Sequence, residues 1–68
     1  SNSAQDFFTQ KTKSGKTICC VPRGEQEDGA SSYTAFCMLE KQCVVISADI
    51  KAEKPEEKMR ELLGQVSL

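Results

Sequence analysis

The sequence predicts an α+β fold, in which an antiparallel meander of three or four β-strands carries one C-terminal helix packed on one face. Two patterns support this prediction. Runs rich in β-branched and aromatic residues lie between residues 7 and 50 and are separated by short polar stretches. Over residues 55–66 the apolar positions recur with helical spacing instead.

The chain has 68 residues, which is the size of one small domain. We expect residues 7–68 to form that domain, and residues 1–6 to be a disordered tail or the remnant of a cleaved tag. No apolar run approaches the roughly 18 residues that a membrane-spanning helix needs, and Cys43 to Ile46 is the longest aliphatic run. We therefore expect no membrane partner.

A β-hairpin is predicted over residues 7–21. Gly15 lies in a polar turn between the two strands, and residues 17–21 are rich in β-branched and small apolar types. Because proline cannot donate to a strand ladder, we expect the second strand to end at Pro22. Residues 24–31 contain three acids, two glycines and no large apolar side chain, which predicts a solvated loop.

Residues 32–50 should form the apolar centre of the chain as two further strands joined by a polar turn around Lys41. In the first of these strands, alternation separates one set of side chains (Tyr33, Ala35, Cys37 and Leu39) from another (Thr34, Phe36 and Met38). Both sets are largely apolar. Either the sheet is covered on both faces, or one face meets a partner.

The C-terminal helix is expected to begin at Pro55, which suits the first helical position. Glu56 and Glu57 follow where the helix dipole favours negative charge, and Gly64 lies near the end. Glu56 and Arg60 have the spacing of an i,i+4 ion pair. One apolar stripe should cover a face of the sheet, and it consists of Met59, Leu62, Leu63 and Val66.

Four cysteines are present, namely Cys19, Cys20, Cys37 and Cys43. Adjacent residues of a strand point to opposite faces, so one face could not hold both disulfides of a fully bridged chain. All four lie in apolar strand segments, where a free thiol behaves as a small hydrophobe. We expect four reduced thiols in the core and a cytoplasmic, reducing location. A disulfide-stapled secreted factor is the alternative if the cysteines are paired.

Metal binding, cofactor binding and catalysis are not expected. The chain contains no histidine, and its cysteines lack the paired spacing of a structural zinc site. A serine or cysteine nucleophile would have no imidazole to activate it. So short a chain also has difficulty enclosing a pocket of roughly 300 Å³ or more. We therefore expect no enzyme.

The hairpin is basic, with four cations and no acid between Phe7 and Arg23. Its Lys11, Lys13, Lys16 and Arg23 could contact the phosphates of a single-stranded nucleic acid beside stacking aromatic rings. The chain as a whole has a net charge of −1, whereas nucleic-acid-binding domains are usually strongly basic. Nucleic-acid binding is therefore an alternative function, and we expect it to be weak.

The function predicted from these features is that of a small non-enzymatic interaction module: an adaptor, an inhibitor or a subunit. It would act through an apolar face or edge of the sheet and bind another protein chain. A homodimer is the simplest form of such a complex. The contacts expected from the sequence are Tyr33, Phe36, Met38 and Val45.

Overall fold

A computed structural model describes residues 6–68, so that most of the segment 1–6 lies outside the described residues. The elements are β1 (Phe8–Lys11), β2 (Thr17–Glu25), β3 (Ser31–Met38), β4 (Cys43–Ile50) and α1 (Pro55–Gly64). The strands form one antiparallel sheet in the order β1-β2-β3-β4. The predicted meander with a single C-terminal helix is confirmed.

The β1–β2 hairpin has the turn that its sequence predicts. The backbone N–H of Thr12 donates to the carbonyl of Lys16 at 2.7 Å, and the Thr12 hydroxyl accepts the N–H of Lys16 at 3.0 Å. Gly15 has a φ of 90°, a conformation that glycine adopts without steric cost. This turn also holds the residues that follow α1, because Val66 accepts the N–H of Lys13 at 3.0 Å.

Strand β2 does not end at Pro22 as predicted, but continues to Glu25. Its pairing with β1 reaches only Cys20, so at Pro22 the strand has a neighbour on one side only. Proline is tolerated at such an edge, and a shift of register between Pro22 and Gly24 accommodates it. The solvated loop is consequently shorter than predicted and spans residues 26–30.

The core lies between α1 and one side of the sheet, which we call the covered face. Alternate residues of every strand point into it. Its buried members are Phe8, Ile18, Cys20, Tyr33, Ala35, Cys37, Ile50, Met59 and Leu63. Leu39, Val44, Ile46, Ala48 and Leu68 pack against this core and are partly buried.

Only part of the predicted apolar stripe of the helix lies in the core. Met59 and Leu63 are each 1 % exposed, whereas Leu62 is 39 % exposed and Val66 follows the end of the helix. Met59 and Leu63 are four residues apart and lie on one line of the helix, whereas Leu62 lies on its flank. The predicted ion pair is present, with Arg60 Nη2 at 3.0 Å from Glu56 Oε2.

Candidate interaction surface

The side of the sheet opposite α1 carries a group of apolar side chains, and we call this side the open face. Strand alternation places six of them there: Cys19, Val21, Phe36, Met38, Cys43 and Val45. Phe36 is 37 % exposed, Val45 is 55 % exposed and Met38 is 75 % exposed. Exposed apolar residues that adjoin one another in this way are typical of surfaces that bind other molecules.

The centre of the open face is a row that crosses the whole sheet. Thr9 of β1 lies opposite Cys19 of β2, Cys19 lies opposite Phe36 of β3, and Phe36 lies opposite Val45 of β4. Met38 lies one step further along β3, opposite Cys43. The register therefore brings together apolar side chains from three strands.

Polar groups border this surface at the end nearest the β2–β3 loop. The Ser32 hydroxyl donates to Asp49 Oδ1 at 2.7 Å, and Gln26 Nε2 donates to the same carboxylate oxygen at 2.9 Å. These exposed hydrogen bonds tie the loop and β3 to β4. Between them and the apolar residues lies the cross-strand pair of Thr34 and Ser47, where the apolar part of the open face ends on β3 and β4.

Three of the four predicted contact residues lie together on the open face: Phe36, Met38 and Val45. Tyr33, the fourth predicted contact residue, does not lie on the open face. It points to the covered face and is 6 % exposed, so this prediction is wrong. Its ring packs edge-on against Phe8, with the centroids 6.1 Å apart. Burial raises the pKa of the Tyr33 hydroxyl, and the nearby Glu56 carboxylate and Cys20 thiol raise it further.

Sequence reasoning missed two members of the open face, Cys19 and Val21. Both are partly exposed, and they extend the surface from β3 onto β2. The period-2 pattern of residues 17–21 was visible in the sequence, but it does not reveal which side of β2 the helix covers. That side follows from the pairing of Cys20 with Ala35, both of which are fully buried.

The four cysteines divide between the two faces as the alternation argument predicts. Cys20 and Cys37 are buried in the core, Cys19 is half-buried on the open face and Cys43 is exposed there. The expectation of four core thiols is therefore wrong for Cys19 and Cys43, because strand alternation places them on the face that α1 does not cover. None of the four forms a disulfide. The pKa of the Cys20 thiol is raised from 9.0 to about 11, mainly by burial and also by the nearby Cys19 and Glu56, whereas Arg60 acts in the opposite direction.

The four cations of the hairpin do not form one patch. Lys11 ends β1, Lys13 and Lys16 lie in the β1–β2 turn, and Arg23 lies toward the other end of β2. Arg23 is seven positions beyond Lys16 along an extended strand, which corresponds to roughly 23 Å. The rings of Phe8 and Tyr33, two of the aromatic residues near these cations in the sequence, are buried in the core, where they do not meet a nucleic acid.

The surface along the outer side of α1 carries paired charges. A shallow groove of about 420 Å³ runs along the outer side of α1, and it is lined by Ala52, Lys54, Glu57, Lys58 and Glu61. Its lysines pair with its glutamates at 3.3 Å and 4.0 Å. Among residues 6–68, no three potential metal-ligating side chains come together. The one helix described there is too short and too polar to cross a membrane.

Comparison of the chain with protein-family models, with curated proteins and with solved structures finds no match. The function must therefore be argued from the residues of the site themselves.

Proposed function

We propose that the protein is a non-enzymatic interaction module that works as a homodimer, with the apolar surface of β3 and β4 as its contact region. One observation carries the proposal: Phe36, Met38 and Val45 adjoin one another on the open face and remain exposed to water. Three adjoining apolar side chains that remain exposed to water favour a surface that another protein covers.

Burial of this surface would supply stability that a chain of 68 residues lacks by itself. Covering a large apolar side chain completely is worth about 1.5–3 kcal/mol relative to leaving it exposed. The three exposed side chains could therefore contribute several such increments to association, before the loss of rotational and translational freedom is subtracted. Truncating them should weaken the dimer more than it weakens the fold.

A second copy of the chain is the occupant that we propose. It presents the same apolar residues in the same arrangement, and a two-fold contact lets each residue serve in both halves of the interface. The net charge of −1 is small, so two copies repel each other only weakly.

The proposal also places the protein in the cytoplasm or another reducing compartment. The unpaired state of all four cysteines and the location of Cys19 and Cys20 on opposite faces support this. Alkylation of the unfolded protein, purified without reductant, should add four labels. Fewer labels would instead favour the disulfide-stapled secreted alternative.

Light scattering behind a sizing column tests the dimer. The unmodified protein should have twice the 7.5 kDa mass of one chain at high concentration and dissociate on dilution. Phe36→Asp and Val45→Asp should each raise the dissociation constant at least tenfold, because each buries an unpaired charge in the interface. Ala52→Asp, which adds the same charge in the exposed segment before α1, is the matched control. A cooperatively folded monomer at all concentrations would contradict the proposal.

A further inference from the structure

The apolar side chains of the open face form a diagonal band across the sheet. At one corner, Phe7 directly precedes β1 and is 62 % exposed. Strand alternation places Phe7 on the open side, because its neighbour Phe8 is buried in the core. At the opposite corner, Cys43 begins β4 and pairs with Met38. Between these corners the band continues through Val21, Cys19, Phe36 and Val45.

The band accounts for most of the exposed apolar surface of the chain. Among residues 6–68, five large apolar side chains are exposed, and only Leu62 of α1 lies outside the band. The other four are Phe7, Phe36, Met38 and Val45. A surface of this kind extends the proposed contact region from β3 and β4 toward β1.

The two remaining corners of the open face carry opposite charges. Lys11 ends β1 opposite Thr17, and Asp49 lies near the end of β4 opposite Ser32. Both charged side chains are exposed, and strand alternation places both on the open face. Three strand spacings and three rows of side chains separate them, or about 14 Å across the sheet and about 20 Å along it.

Neighbouring residues strengthen this difference in charge. The β1–β2 turn, which follows Lys11, adds Lys13 and Lys16 and contains no acid. The β2–β3 loop is tied to Asp49 through Gln26. Around that corner carboxylates outnumber cations: the acids are Glu25, Glu27, Asp28 and Asp49, and the cations are Arg23 and Lys51.

Resting on the homodimer proposed above, we infer that two copies stack open face on open face about a two-fold axis that follows the apolar band. Rotation by half a turn about this axis lays the band of one copy on the band of the other, with the two Phe36 rings near the centre. The same rotation exchanges the two charged corners. Lys11 of each copy therefore faces Asp49 of the second copy, and opposite charges so arranged favour association.

The direction of the band fixes how the two sheets cross. It extends about 14 Å across the strands and about 13 Å along them, and so lies about 45° from the strand direction. A two-fold axis in that direction makes the strands of the two copies cross at about 90°, which is one of the two usual angles between packed sheets. Met38 then lies over Val45 of the second copy, so that every contact residue of the proposed function is covered.

Other two-fold axes match the surface less well. An axis parallel to the strands, between β3 and β4, would leave Phe7 in water and bring the Asp49 carboxylates of the two copies toward each other. An axis across the strands through Phe36 would lay Met38 on Thr34 of the second copy. Only the diagonal axis puts apolar side chains on apolar side chains and each charge on its opposite.

Charge reversal tests this arrangement. Lys11→Glu and Asp49→Lys should each raise the dissociation constant of the dimer at least fivefold, because each places like charges opposite one another at two sites. The chain that carries both changes should return to within threefold of the unmodified protein. Lys58→Glu, on the outer side of α1, is the matched control and should have no such effect. Light scattering gives the dissociation constants, and melts at low concentration check that each variant is folded.

Chemical cross-linking tests the geometry independently of charge. In a background with Cys19→Ala and Cys43→Ala, only the buried Cys20 and Cys37 remain. Chains with Lys11→Cys are mixed with chains with Asp49→Cys and treated with a short bis-maleimide. Mass spectrometry should find mixed dimers forming at least fivefold faster than dimers of like chains, because like corners of the two copies are more than about 20 Å apart in this arrangement.

The outcomes separate this inference from the proposed function. Faster cross-linking of like chains would overturn the diagonal stacking, and so would a double reversal that fails to restore the dimer. In both cases the homodimer itself would stand, since the unmodified chain still associates. A monomer at every concentration would overturn both.

Discussion

The guanidinium group of Arg60 lies over the ring of Phe8, with Cζ 4.4 Å from the ring centroid. The same side chain donates to the Thr9 carbonyl and to Glu56, and the Phe8 ring in turn packs edge-on against Tyr33. Stacking, hydrogen bonding and burial therefore act together at one point of contact between α1 and β1. This contact holds the helix toward the β1 side of the covered face.

Replacing Arg60 should loosen this contact. We expect Arg60→Ala to lower the free energy of unfolding by about 1–2 kcal/mol, because it removes a cation–π contact and a charge-assisted hydrogen bond. Arg60→Lys should recover only part of the loss, since an ammonium group lacks the planar stacking surface. Lys58→Ala is the control, as Lys58 pairs with Glu61 on the exposed side of the helix. Urea unfolding followed by circular dichroism measures all three; equal effects at Arg60 and Lys58 would contradict the assigned role.

The two adjacent leucines of α1 should differ in their contribution to stability. Leu63 is 1 % exposed and Leu62 is 39 % exposed. Leu63→Ala should cost about 2–5 kcal/mol because it leaves a cavity in the core. Leu62→Ala should cost less than about 1 kcal/mol in the monomer, since its side chain already meets water. Thermal melts at low concentration compare the two variants, and similar losses would show that the flank of the helix is packed.

Stability should fall as the pH rises from about 9 toward about 11. The pKa of Cys20 is raised from 9.0 to about 11 in the folded chain, so in this range the unfolded chain loses a proton that the folded chain retains. The contribution of the Cys20 thiol to stability is therefore fully present below pH 9. It is lost as the pH rises through the pKa of this thiol in the folded chain, about 11. The raised pKa of Tyr33 acts in the same direction at higher pH.

Chemical unfolding at several pH values checks this expectation. Cys20→Ala should flatten the alkaline decline, while Cys43→Ala, which changes an exposed thiol, should leave it as it is. An unchanged decline in the Cys20 variant would mean that other groups cause it.

The β2–β3 loop should depend on a single glycine. Gly29 has a φ of 89°, and its N–H donates to the carbonyl of Gln26 at 3.0 Å. A side chain at this conformation is strained, so Gly29→Ala should cost roughly 1–2 kcal/mol. Glu27→Ala in the same loop should change stability by less than about 0.5 kcal/mol. Urea midpoints of the two variants provide the comparison, and a neutral Gly29→Ala would show that the turn rearranges easily.

Several features of this protein follow from its sequence alone. The four strands, the helix from Pro55 and the Glu56–Arg60 pair depend on spacing between near neighbours in the chain. Alternation and helical periodicity express that spacing directly, so they predict the elements without any tertiary information. The same reasoning separates Cys19 from Cys20, because adjacent residues of a strand always point to opposite faces.

Other features were decided only when the chain packed. Both sides of β3 are apolar, so the sequence could not reveal that α1 would cover Tyr33 and leave Phe36 exposed. Pro22 lies within a strand because β1 is too short to reach it, and Leu62 is exposed because Arg60 holds the opposite flank of the helix toward β1. Each outcome depends on contacts between residues far apart in the chain, and local periodicity carries no information about such contacts.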